Sequence, residues 1–113
     1  MLIVDDHAAF RRSARALLEA EGFSVIGEVS TGDAVQEAVE RLVPDVVLLD
    51  VQLPGEDGFV VATQLAAARR PPLVVLISSR DAAAYGARVA TAPVRGFIEK
   101  RELTGAALAA LVG

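Results

Sequence analysis

The chain contains no cysteine, which excludes disulfides, thiolate catalysis and cysteine-based zinc sites and agrees with a reducing compartment. Aromatic residues make up only 4% of it. Aliphatic side chains must therefore fill the core, and there is no stacking platform for single-stranded nucleic acid. Basic residues are outnumbered, with 11 Lys and Arg against 15 Asp and Glu and a net charge of −4. Phosphate backbones call for a basic face, so direct nucleic-acid binding by this segment is not expected. No apolar run approaches the roughly 18 residues needed to span a bilayer. Met1-Leu2-Ile3-Val4-Asp5-Asp6 has no basic lead before its short apolar stretch, so it does not read as a signal peptide. A soluble cytoplasmic domain without membrane contact is the expectation.

What is present is apolar: 53% of the 113 residues are hydrophobic. That length and composition fit one domain over residues 1–113 with one core, and exclude disorder. Short apolar runs alternate with amphipathic stretches, the pattern of parallel βαβ units. Leu2–Val4, Val46–Leu49 and Leu73–Ile77 are unbroken apolar runs, and Ser24–Val29 and Val94–Glu99 are mixed ones. Between and after them, helices are predicted from His7 to Gly22, from Asp33 to Pro44, over Phe59–Arg69, over Asp81–Ala92 and over Glu102–Val112. On the first, Phe10, Ala14, Leu17 and Leu18 share one face; on the second, Val35, Ala38, Val39 and Leu42 do. Leu53-Pro54-Gly55-Glu56-Asp57-Gly58 reads as a turn. The fourth helix has few large apolar residues and is interrupted by Gly86. Fully apolar strands belong at the centre of a sheet covered on both faces. Right-handed crossovers then give an α/β doubly wound, five-stranded parallel sheet of order 2-1-3-4-5, with helices on both faces.

In such a sheet, ligands bind beyond the carboxyl ends of the strands, where the order reverses. Asp5 and Asp6 follow the first strand, Asp50 ends the third, Ser78 follows the fourth and Lys100 the fifth. Unit charges 4 Å apart repel by about 4 kcal/mol at an effective dielectric near 20, so three carboxylates need a counter-charge. A hard divalent cation such as Mg²⁺ supplies it, and no His/Cys cluster competes for a softer metal. A carboxylate can also attack phosphorus and form an aspartyl phosphate. The charge of a transferring phosphoryl group can then be shared among the cation, the Lys100 ammonium and the Ser78 hydroxyl.

These residues resemble bacterial two-component response-regulator receiver domains over the whole length. Val4-Asp5-Asp6-His7, Leu53-Pro54-Gly55-Glu56-Asp57-Gly58 and Gly96-Phe97-Ile98-Glu99-Lys100 are most similar to the LuxR/NarL-type regulators. The resemblance implies that Asp5 and Asp6 are the metal-binding acidic pair, with Asp50 and the backbone carbonyl of Gln52 completing the Mg²⁺ site. It makes Asp50 the phosphoacceptor, Lys100 and Ser78 its catalytic partners, and Ser78 and Phe97 the switch residues. A sensor histidine kinase or small phosphodonor is the implied source of the phosphoryl group, and homodimerisation on phosphorylation is allowed. The modified Asp50 would draw Ser78 inward, Phe97 would move into the space left, and the helix 4–strand 5–helix 5 face would change. The chain is not expected to be an enzyme beyond its own phosphorylation and dephosphorylation. LuxR/NarL-type regulators usually continue into a DNA-binding helix-turn-helix output domain, which this sequence does not contain; the expected role is the regulatory part of a transcription regulator. In two places the chain departs from the family pattern: Arg101 follows the lysine where proline is common, and Pro93-Val94-Arg95 precedes the fifth strand.

Plainer roles compete. Asp5 or Asp6 can cap a helix, Ser79 rivals Ser78, and His7 reads as a first-turn residue rather than a ligand. Arg80 and Gln52 flank the site and could tune water access to the phosphoryl group. Two other classes are a haloacid-dehalogenase-type phosphatase, against which the adjacent strand-1 acids and short chain argue, and a receiver-like interaction module independent of phosphorylation. Modules of that kind typically lose an acid or the lysine, and here all are retained.

Overall fold

The computed structural model describes all 113 residues. Its main sheet contains β1 (Leu2–Val4), β2 (Gly27–Val29), β3 (Val46–Asp50), β6 (Leu73–Ser78) and β7 (Gly96–Glu99). Every pairing in this sheet is parallel and the order is β2-β1-β3-β6-β7, the expected 2-1-3-4-5. Four α-helices follow main-sheet strands or their turns: α1 (Ala8–Ala20), α2 (Val35–Leu42), α4 (Ala87–Thr91) and α5 (Gly105–Val112). The fifth, α3 (Gly58–Ala66), follows a two-stranded antiparallel ribbon of β4 (Gln52–Leu53) and β5 (Glu56–Asp57).

Side chains alternate across a strand, and the central strands use both sides. Leu2, Val4, Val47, Leu49, Val74 and Leu76 join Val35, Ala38 and Val39 of α2 and Phe59, Val61, Ala62 and Leu65 of α3. Ile3, Val46, Leu48, Val75, Ile77 and Ile98 face the other way, against Ala14 and Leu18 of α1 and Leu108 of α5. The unbroken apolar runs are thus explained by a sheet buried on both faces.

Several boundaries differ from the sequence pattern. The expected strand over Ser24–Val29 shrinks to Gly27–Val29, an edge strand with no fully buried residue. The turn at 53–58 is the β4–β5 ribbon, whose register pairs Gln52 with Asp57 and Leu53 with Glu56. The expected helix over Asp81–Ala92 is broken into a 3-10 turn at Ala82–Tyr85 and the short α4. Neither piece contains a buried residue, so no apolar face holds a continuous helix together. Gly86 separates them with φ 58° and ψ −136°, a conformation open to glycine. A 3-10 turn at Lys100–Glu102 also delays α5 to Gly105, where Thr104 caps it by accepting the Ala107 N–H at 3.0 Å. No helix is long and apolar enough to cross a membrane.

Candidate functional site

Parallel strands deliver their carboxyl ends to one rim, and the first residues beyond β1 and the last of β3 meet there. Asp5 is held by backbone and side chain together. Its N–H donates to the Val29 carbonyl at 3.0 Å, its Oδ1 accepts the His7 N–H at 2.8 Å, and Arg11 Nη1 donates to its carbonyl at 2.6 Å. It is not the α1 cap, because His7 occupies that position. Asp50 Oδ1 accepts the Gln52 N–H at 3.1 Å. Both carboxylates are buried, Asp5 fully and Asp50 to within 3%.

Lys100, brought in from the end of β7, is the one ammonium among them. Its Nζ lies 2.6 Å from Asp5 Oδ2 and 3.3 Å from Asp50 Oδ2. It also stands 4.7 Å above the Phe10 ring of α1, a cation–π contact that directs it into the site. Burial raises the Asp50 carboxyl above its usual range and the Asp5 charge adds to this, while the Gln52 N–H and Lys100 oppose it. Burial alone would lower Lys100, but its hydrogen bonds to and attraction for Asp5 and Asp50 outweigh burial and hold its proton more tightly.

One ammonium does not balance three carboxylates. Asp5, Asp6, His7 and Asp50 each offer a donor atom, all within 4.8 Å of one another. Asp6 Oδ1 is buried and accepts no hydrogen bond, and Asp5 Oδ2, also buried, has the Lys100 ammonium as its partner. The carboxylate oxygens suit a hard divalent ion. The exposed His7 ring is drawn in as well: Nδ1 is 3.1 Å from Asp5 Oδ1 and 3.2 Å from Asp6 Oδ1, so that nitrogen is already engaged by the acids. Gln52 lies two residues beyond Asp50, and it reaches that side chain through its N–H.

Ser78 is the last residue of β6 rather than the first beyond it, and it is fully buried, whereas Ser79 is exposed. Its Oγ accepts the Arg80 N–H at 3.0 Å and lies 2.6 Å from Tyr85 Oη. Phe97 is partly buried on β7, and its ring packs on Tyr85 with centroids 5.9 Å apart. Tyr85 in turn meets Phe59 edge-on at 5.6 Å. Nothing in the local pattern flags Tyr85, because it lies in the stretch with the weakest helical periodicity. Arg80 is exposed beside the site.

Asp57 ties this region together. Its side chain caps α3 by accepting the Phe59 N–H at 2.8 Å and also pairs with Arg88 of α4. The Arg88 guanidinium lies 4.3 Å over the Phe59 ring. Beneath the ribbon, a Cβ at Gly58 would collide with the Asp50 carbonyl oxygen and lie 2.7 Å from Val51 Cα, so only glycine lets α3 start this close to the end of β3.

Over residues 1–112 the sequence matches the family model described as response regulator receiver domain. It is 31% identical over 101 residues to the DNA-binding transcriptional activator EvgA of Escherichia coli K12, covering 89% of this chain and 50% of EvgA. The chain spans about half the length of the curated relatives it matches. Its fold is similar to the signal receiver domain of NarL from Mycobacterium tuberculosis, with a TM-score of 0.85, 33% identity, and coverage of 99% of this chain and 94% of that one. It is also similar to the BeF3-activated receiver domain of RstA from Klebsiella pneumoniae, with a TM-score of 0.84, 28% identity and coverage of 97% and 92%.

Proposed function

The chain belongs to the response regulator receiver domain family, and from that premise we propose that Asp50 is the phosphoacceptor of a signalling switch. The observation that carries this reading is the buried pair Asp5 and Asp50 bridged by Lys100, with Asp6 beside them and its buried Oδ1 accepting no hydrogen bond. A sensor histidine kinase or a small acyl phosphate is the donor. An Asp50 carboxylate oxygen attacks phosphorus, and the bond from phosphorus to the donor atom breaks. The electron pair leaves with that atom, which takes a proton from solvent when it is an imidazole nitrogen. Asp5, Asp6 and Asp50 would hold Mg²⁺, with the Gln52 carbonyl as a further oxygen ligand. When bound, that ion neutralises the carboxylates and polarises the phosphoryl oxygens.

Lys100 leaves its position between Asp5 and Asp50 to meet an oxygen of the incoming group, and the Ser78 hydroxyl meets another. The chemistry is confined to the protein's own phosphorylation and dephosphorylation, with water access tuned by Gln52 and Arg80. The change is passed on through Phe97 to the surface of α4, β7 and α5, where a second phosphorylated copy pairs. In the full-length protein, a cytoplasmic regulator, this surface controls a DNA-binding output domain and so transcription.

Incubation with acetyl phosphate and Mg²⁺ tests the assignment. The mass gain of one phosphoryl group is expected in the native protein and lost in Asp50→Asn or when EDTA is added. A native protein that gains no mass, or an Asp50→Asn variant that gains it in full, overturns the assignment.

A further inference from the structure

Ser78 Oγ has one hydrogen and two lone pairs. The Arg80 N–H occupies one lone pair and Tyr85 Oη, 2.6 Å away, takes up a second direction. Ser78 is fully buried, so these partners rather than water satisfy its hydroxyl. The same hydroxyl, on the reading above, must turn toward a phosphoryl group on Asp50. Serine side chains occupy discrete staggered rotamers, so turning toward Asp50 means leaving Tyr85.

Tyr85 is therefore placed to set the balance between the two orientations, and with it the position of the segment it belongs to. It closes the turn Ala82–Tyr85, which Gly86 separates from α4. No residue of either piece is buried, and the segment meets the core through partly buried Tyr85 and Val89. Its remaining ties are the Tyr85 ring against Phe59 and Phe97, and Arg88 on Asp57 and the Phe59 ring. An element with so little buried surface opens readily, so one partly buried hydrogen bond is a large share of what fixes it.

We propose that Tyr85 is a positioning residue for the phosphorylation reaction: its hydroxyl holds Ser78 in the resting orientation, and loss of that bond on phosphorylation frees residues 82–91. This rests on Asp50 being the phosphoacceptor. Phe97, which packs on Tyr85, then moves as a consequence of Tyr85 leaving. The ribbon beyond Asp50 feels the same event, because Arg88 is anchored on Asp57.

The chain has one tyrosine and no tryptophan, so tyrosine emission reports Tyr85 alone. Titration with beryllofluoride and Mg²⁺ is expected to change that emission saturably in the native protein and not in Asp50→Asn. Tyr85→Phe keeps the ring and both aromatic contacts while removing the hydroxyl. It is expected to tighten beryllofluoride binding and speed phosphorylation by acetyl phosphate about fivefold, the equivalent of one net hydrogen bond of ~1 kcal/mol. In a Ser78→Ala background the same substitution should change neither. Mass spectrometry run in parallel separates the two ideas. No mass gain in the native protein overturns the phosphoacceptor reading and this inference with it. A normal mass gain with silent emission, or with phosphorylation of Tyr85→Phe unchanged or slowed, overturns the role of Tyr85 alone.

Discussion

Asp50→Asn should make the metal-free protein more stable, although it removes the group the site is built around. At an effective dielectric near 20, Lys100 at 3.3 Å attracts the Asp50 carboxylate by about 5 kcal/mol. Asp5 and Asp6, with donor oxygens inside 4.8 Å, each repel it by about 3.5 kcal/mol. About 2 kcal/mol is then left against the charge, and burial adds to it in the same direction. For a domain of this size, relief of that strain corresponds to a rise in Tm on the order of 8 °C. Thermal unfolding followed by circular dichroism at neutral pH in EDTA measures it.

The pH dependence carries the sign. Asp50 keeps its proton to higher pH folded than unfolded, so its penalty is absent below the usual carboxyl value of 3.8 and grows as pH rises through the raised one. The advantage of the asparagine variant should accordingly narrow as pH is lowered. Mg²⁺ should reverse the ranking at neutral pH, since the native protein binds it more tightly and gains more from binding. A variant that melts below the native protein in EDTA at neutral pH refutes the charge argument.

Lys100→Met should have the opposite effect on stability. With the ammonium gone, Asp5 and Asp50 face each other uncompensated, and melting in EDTA should fall while acetyl-phosphate labelling slows on the order of a hundredfold. Gly58→Ala should destabilise by roughly 1–3 kcal/mol, because the added methyl must displace the chain at Asp50 and Val51; chemical denaturation reads this, and labelling should slow as Asp50 shifts. Arg88→Ala removes the Asp57 pair and the Phe59 contact, and amide exchange over 82–91 should accelerate while that of β3 and β6 stays slow.

The central sheet was legible because its signals were strong and redundant. Val46–Leu49 and Leu73–Ile77 could only be strands covered on both faces, and that alone placed Asp50 and Ser78 near the rim. The weaker edge at Ser24–Val29 is shorter than its alternation predicts, since only three residues pair with β1. The stretch from Asp81 to Ala92 failed for a physical reason. Its structure comes from long-range side-chain contacts of Tyr85 and Arg88 rather than from its own periodicity, so nothing local announces them. The spacing of the site acids was readable, while the satisfaction of the Ser78 hydroxyl by a phenol seven positions on was not. The role of Asp57 was hidden similarly: within Leu53-Pro54-Gly55-Glu56-Asp57-Gly58 it reads as turn chemistry, and only the fold brings Arg88 to it.

The shared direction of the five main strands has an evolutionary consequence. All the chemistry lies at one rim, while the opposite rim is formed by Met1, Phe23–Ile26, Val43–Val46 and the start of β6. Ile26, Val43 and Leu73 are exposed there. Substitutions at these exposed positions, or a reporter or tether attached to them, stay clear of the acids, the lysine and the aromatic cluster. Lineages can therefore diversify at one end of the molecule while selection holds the other.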